Sequence, residues 1–396
     1  MRLPGGQTLG YCTNVHAYST LAQLLEQLGQ EPVALRARLV AAGRLAPEDT
    51  LGLGLWLPAD VARAAVADPA PLRARLAALG LSCFTVNAFP LADFHGPRVK
   101  DRVFEPGWTE PARLTATLDA ARVLAALLPE GGSASLSTHS GAWRGWGPPR
   151  TDERAIATGL LAAADGLAAL HESTGRSIRL AIEPEPCSSL ETAAEVVAFF
   201  TRWLLPAGAA AREHLGVCFD ACHQAVEFEH LPTSLAGLLR AGVPVAKVQL
   251  SSALALRDPA AHAALLLPWA EDRWFHQVVA RTRDGALRRL PDLPDALSPQ
   301  AGSAVRDALE WRVHFHVPLF AGRLDEHGWL SSTQEDLLSL LASPELATVT
   351  QLEIETYSFG MIPAARRAAL GVPTLLDALE REMLWVLDAL PPRARS

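Results

Sequence analysis

Short apolar runs alternate with longer amphipathic stretches rich in Ala, Leu and Arg along the whole chain, which is the rhythm of strands and helices in a parallel sheet. Strands are expected at 9–16, 51–57, 82–88, 134–139, 179–184, 216–220, 245–250, 312–317 and 349–356. Between them, helical periodicity predicts helices over 19–28, 71–79, 109–128, 155–171, 190–205 and 334–341. Nine strands are one more than a (β/α)8 TIM barrel accommodates, so one lies outside it, and the surplus falls between 245 and 317. The same interval holds an expected hairpin, 275–281 with 286–290, because Asp284-Gly285 is a strong turn signal. The expected architecture is α/β: one TIM-barrel domain over 1–396, with 257–311 inserted between the seventh and eighth barrel strands.

Four apolar segments end in acid or imidazole groups: Leu-Ala-Ile-Glu-Pro-Glu-Pro (180–186), Val-Cys-Phe-Asp-Ala-Cys-His (217–223), Val-His-Phe-His-Val-Pro (313–318) and Gln-Leu-Glu-Ile-Glu-Thr-Tyr (351–357). Side chains alternate along a strand, so Glu183 shares a face with Glu185, Cys218 with Asp220, His314 with His316 and Glu353 with Glu355. Barrel enzymes place their chemistry at the carboxyl ends of strands, which favours Glu183, Asp220, His316 and Glu355 over Glu185 and Glu353. One buried carboxylate alone reads as an ion pair with an arginine. Four such groups at four strand ends call for a shared cation, and a divalent ion (Mn2+, Zn2+, Co2+ or Mg2+) suits carboxylate and imidazole ligands.

His223, three residues past Asp220, either turns back over the ion or a substrate hydroxyl, or supports the following helix. Gln249 ends the seventh strand on the inward parity, and its amide oxygen serves as a metal ligand or a polar substrate contact. Asn14 and His16 share one face of the first expected strand, while Asn87 and His139 end the third and fourth. These neutral hydrogen-bonding groups suit a small polyhydroxylated metabolite. Trp56, Phe89, Trp108, Trp143 and Trp146 stand at strand ends or in the loops beyond, to wall a sugar ring or simply to pack those loops.

Composition narrows the partners. The net charge is −8, and Lys100 and Lys247 are the only lysines, which argues against nucleic acid. With 49% apolar and 20% charged residues the profile is that of a soluble globular protein. The amino terminus lacks a signal-peptide core and no window reaches a membrane span, so the cytoplasm is expected, without membrane insertion. Cys12, Cys83, Cys187, Cys218 and Cys222 form no Cys-x-x-Cys pair and read as buried thiols in a reducing compartment. Cys187 and Cys222 lie just past strand ends, but without the His-paired signature of a catalytic thiol.

Ile-Glu-Pro at 182–184, Phe-Asp-Ala-Cys-His at 219–223 and Glu-Ile-Glu-Thr at 353–356 resemble the xylose isomerase-like TIM barrels. These are sugar isomerases and epimerases that share their architecture with endonuclease IV. Tyr-Cys-Thr-Asn-Val-His at 11–16, Phe-His-Gly-Pro-Arg-Val-Lys-Asp at 94–101, Val-His-Phe-His-Val-Pro and Glu-Thr-Tyr at 355–357 are similar to the EboE metabolite traffic proteins of that superfamily. The resemblance spans nearly the whole chain. It implies a metal held by a Glu after the fifth strand, an Asp after the sixth, a His after the seventh and a Glu after the eighth. Glu183, Asp220 and Glu355 match, and the Asp-x-x-His pattern carries His223 over as a substrate or ligand-shell residue. Counting from Asp220 puts Gln249 in the histidine's place, whereas the local text around His316 looks like the histidine strand; both stay open.

The implied reaction is proton transfer beside a carbonyl, with Glu183 and Glu355 as acid and base. A non-catalytic barrel that carries a metabolite to other proteins of its pathway is the second reading. A metal-dependent hydrolase of the endonuclease IV type is the third, disfavoured by the acidic charge. An amidohydrolase would carry its His-x-His on the first strand, not near residue 315.

Overall fold

Leu51–Trp56 is buried at every position, the signature of a strand covered on both faces as parallel barrels require. The computed structural model describes residues 1–391. In it, β1 (Thr8–Cys12), β2 (Leu51–Trp56), β3 (Leu81–Asn87), β4 (Ser133–His139), β5 (Ser177–Glu183), β6 (Leu215–Asp220) and β7 (Val245–Leu250) run in sequence order around a barrel. The barrel closes through the last strand, Gln351–Ile354, which pairs in parallel with both β7 and β1. The fold is the expected closed (β/α)8 barrel with an insertion between its seventh and eighth strands.

The ninth candidate has a different fate. After β7 the chain leaves the barrel and builds a second sheet from β8 (Leu254–Arg257), β9 (Val278–Arg281), β10 (Leu287–Leu290), β11 (Glu310–Val313) and β12 (Leu330–Ser332), before returning as β13 (Gln351–Ile354). The order is β10-β9-β11-β8-β12, antiparallel throughout. The run at 312–317 therefore enters through β11 and lies outside the barrel. Periodicity marks an apolar strand without showing whether its partners are parallel or antiparallel. The sheet spans 254–332, more chain than 257–311. β9 and β10 form the hairpin around Asp284-Gly285, with Gly285 in the left-handed region at φ +83°.

Two large apolar cores, besides a small cluster around Cys222 and Val226, follow from this layout. One lies between the barrel and its helices, and the other is the insertion's own, where Leu254, Trp269, Val278, Trp311, Val313 and Phe315 pack with Phe359 and Ile362 from the chain just past β13. The alternation around Phe315 is decisive for the site. Phe315 sinks into the second core, edge-on to Trp269 and stacked on His276, and its neighbours His314 and His316 consequently face the other way.

Inside the barrel, Lys247 and Glu353 form an ion pair at 2.5 Å with both side chains fully buried. Gly54 leaves room for it, since a Cβ there would collide with the Glu353 carboxylate. Glu353 is thus a structural partner.

The last helix, Leu375–Ala389, holds the returning chain in place. Oε1 of Glu382 accepts from the Leu319 N–H at 3.1 Å and from the Thr356 hydroxyl at 2.6 Å. Burial pushes this carboxyl up to about 7, against the opposing pull of those hydrogen bonds. A carboxyl whose folded pKa is raised contributes most favourably below about pH 4.5 and loses that contribution as pH climbs to about 7. Glu382→Gln keeps the accepting oxygen and removes the ionisation. It is expected to flatten the pH dependence of unfolding between pH 4.5 and 7 and to gain about 3 kcal/mol at pH 8, read from urea midpoints at several pH values.

Candidate metal centre

Glu183 ends β5, Asp220 ends β6, and Glu355 directly follows β13. All three are buried, and one oxygen of each lies within 4.8 Å of the others. Asp220 caps the helix Ala221–Val226, its Oδ1 accepting from the His223 N–H and the Ser251 hydroxyl, both at 2.8 Å. Oε1 of Glu355 accepts from Asn14 Nδ2 at 2.7 Å and Asn87 Nδ2 at 3.2 Å. Glu183 Oε2, Asp220 Oδ2 and Glu355 Oε2 have no hydrogen-bond partner among the described residues. Three carboxylates with unsatisfied buried oxygens are costly unless a cation or protons occupy the space between them.

The electrostatics agree. Burial, then repulsion from Glu355 and Asp220, drives the Glu183 carboxyl well above its ordinary value. Burial, then Asp220 and Glu353, does the same to Glu355. The Lys247 ammonium pulls both back without cancelling the effect. All-oxygen donors with buried, unpartnered lone pairs fit a divalent ion, which replaces the missing positive charge.

A narrow pocket opens over this cluster. Asn14, Asn87, Glu183, Glu185, His223, His314, His316, Glu355 and Tyr357 supply its polar lining, and Phe89, Pro90, Phe94 and Val103 its apolar wall. Of the aromatic residues expected there, Phe89 lines the pocket. Trp56 instead packs against Tyr18 and Phe94 with its indole N–H on Pro90 O, and Trp143 stacks on Phe275. Phe94 comes from the 94–101 segment, whose Lys100 grips Asp292 at 2.6 Å and the carbonyls of Glu271 and Trp274, clasping the loop after β3 to the insertion.

Three expected site residues are placed elsewhere. β1 stops at Cys12 and a tight turn, Thr13–Val15, follows, so the strand parity linking Asn14 to His16 fails. Asn14 enters the pocket, whereas His16 is held by Tyr11 Oη at 3.0 Å and Gln27 Nε2 at 3.2 Å. His139 pairs with Glu183 in register, yet its Nδ1 accepts from the Gly141 N–H at 3.1 Å and Phe89 and Phe104 cover its ring. Gln249 lies beside Asp220 in register, but its Oε1 accepts from the Cys218 thiol at 2.8 Å. It presents an unpartnered amide N–H, which is a donor and no cation ligand.

His316 does reach the centre, carried by the second sheet. It shares a group of close ligand atoms with Asp220 and His223. His314 joins Glu185 and His223 in another. Glu185, singled out only weakly by its position past the strand, lines the pocket with its carboxyl pushed up to about 8, chiefly by burial. Tyr357 and Ser251 carried no periodic signal. The alternation that set His314 on the face of His316 was its signal, set aside by the preference for the outermost residue. Cys222 lies near His314 and His316, and burial holds its thiol well above its ordinary value.

No helix among the described residues is long and apolar enough to cross a membrane. No family model matches the chain, and no curated protein sequence does. Solved structures similar to it are xylose isomerase-like barrels and related enzymes. A xylose isomerase-like TIM barrel protein from Mycobacterium smegmatis, in complex with magnesium, is 11% identical, with 98% of each chain covered and a TM-score of 0.49. A 3-keto-D-glucoside 4-epimerase, YcjR, from E. coli is 14% identical over 61% of this chain and 79% of its own, with a TM-score of 0.36. A family 2 AP endonuclease from Brucella melitensis is 16% identical over 61% and 78%, with a TM-score of 0.40.

Proposed function

We propose that the protein is a divalent-metal-dependent isomerase or epimerase of a small polyhydroxylated metabolite. The observation that carries this reading is the trio Glu183, Asp220 and Glu355, buried at three barrel strand ends with one unpartnered oxygen each. These residues would hold the ion, which when bound supplies a Lewis acid for a carbonyl and a neighbouring hydroxyl. Asn14 and Asn87 orient the Glu355 carboxylate through Oε1. Glu183 and Glu355 take and return the proton beside the carbonyl. The apolar wall of Phe89, Phe94 and Val103 shields the reacting centre from water.

A carrier of the EboE metabolite-traffic type, working in the cytoplasm with other proteins of its pathway, is the alternative that the 11–16 and 94–101 segments support. In both cases the ion comes first. Metal analysis of the purified protein should find a divalent ion that Asp220→Asn loses, with the fold checked by circular dichroism. Absence of metal from both proteins would remove the reading.

A further inference from the structure

Beyond the free oxygens of Glu183, Asp220 and Glu355, the side chains that line the pocket hold two more acceptors without a hydrogen-bond partner among the described residues. They are Glu185 Oε2 and Asn14 Oδ1. Both residues are buried, at 5% and 2% exposure, where a lone acceptor is costly until a donor arrives. The rest of each group is already engaged. Gln277, on the chain leading into β9, donates through Nε2 to Glu185 Oε1 at 2.9 Å and to Pro186 O at 3.1 Å, and Asn14 Nδ2 donates to Glu355 Oε1 at 2.7 Å. The insertion thus fixes the Glu185 carboxylate, and the Asn14 amide has only its oxygen left to offer.

The surroundings supply acids and no base. No arginine or lysine lines the pocket, and the buried cations around it are committed elsewhere: Lys100 to Asp292 at 2.6 Å, Lys247 to Glu353 at 2.5 Å, and Arg113 to the Ala88 and Phe89 carbonyls at 3.0 Å. A divalent ion on the trio offsets two of its three carboxylate charges, and Glu185 adds another, so negative charge is left over in a buried place. Such a site repels a phosphate or carboxylate and draws in a cation.

On the preceding assignment of the trio to the ion, we propose that the metabolite carries an amino group, held as ammonium by Glu185, and a hydroxyl that donates to Asn14 Oδ1. That makes it an amino sugar or aminocyclitol, not a sugar phosphate. An ammonium has donors and no acceptor, so it satisfies Glu185 Oε2 and balances its charge without bringing a new acceptor into a pocket already rich in them. The assignment concerns recognition and applies to an isomerase and a carrier alike.

The test is isothermal titration of the metal-loaded full chain with matched pairs, the amines protonated: D-glucosamine against D-glucose, D-galactosamine against D-galactose, and scyllo-inosamine against scyllo-inositol, with D-glucose 6-phosphate beside them. At least one amine should bind about tenfold to a hundredfold more tightly than its hydroxyl partner, the worth of a hydrogen bond to a charged group. Glu185→Gln, nearly isosteric, should erase that difference while keeping its metal and its circular dichroism. The inference is overturned if no amine is preferred in any pair, whether through equal binding or none, if the preference survives in folded Glu185→Gln, or if the phosphate ester outbinds the amines. Loss of metal from Glu185→Gln would make Glu185 a ligand of the ion and overturn its assignment to the substrate. Metal measured on the same samples separates the two readings: an amine preference that needs Glu185 in a protein without metal leaves this assignment standing and removes the preceding one.

Discussion

Glu355→Gln is expected to cut proton exchange at the substrate carbon by about 10²–10⁴-fold, the usual contribution of a positioned acid or base. The measurement is deuterium incorporation from solvent into a panel of ketoses, cyclitols and inososes by the metal-loaded protein. The substitution is nearly isosteric, and its retained oxygen can still accept from Asn14 and Asn87. What it removes is one negative charge from a cluster in which Glu183 and Asp220 already repel one another. The metal-free variant should therefore melt at a higher temperature than metal-free wild type, because relieving like charges stabilises the folded state. Lower exchange with a higher melting temperature separates a catalytic carboxylate from a structural one. A carrier would tolerate the change, so wild-type behaviour of Glu355→Gln in a cellular export assay, with no exchange by wild type on any substrate, would favour carriage over catalysis.

Lys247→Met should be the most destabilising single substitution proposed. It strands the Glu353 carboxylate in the barrel interior, where Oε1 already lacks a partner and Gly54 leaves space for nothing else. Removing one member of a buried ion pair costs about 3–5 kcal/mol, because the survivor keeps its desolvation penalty. The double variant Lys247→Met/Glu353→Leu removes both charges and should recover most of the loss. Urea denaturation of the single and double variants decides the matter. A double variant as unstable as the single one would show that packing, not the unpaired charge, sets the cost.

The barrel was legible because its strands are short apolar runs separated by amphipathic helices, a pattern local along the chain. Glu183, Asp220 and Glu355 were legible for the same reason, since each ends or directly follows a strand whose direction is set by the barrel. His16 was not. Strand alternation predicts its side only while the strand continues, and β1 gives way to a turn at Thr13. His139 and Gln249 stand at the expected strand ends, but the Gly141 amide, two residues on in the same loop, and the Cys218 thiol of the adjacent strand occupy them.

The histidines of the second sheet mark the division most clearly. Sequence alone determined the barrel, the place of the insertion, three of the clustered carboxylates and the shared face of His314 and His316, because strand period and strand ends are local properties. Only the tertiary structure decided that those histidines arrive from an antiparallel sheet outside the barrel. It also decided that Phe315 anchors them by sinking into a separate core, and that His314 comes to lie beside both His223 and His316. The meeting of groups 91 residues apart depends on how two sheets pack, and side-chain alternation carries no information about the partner that a strand will meet.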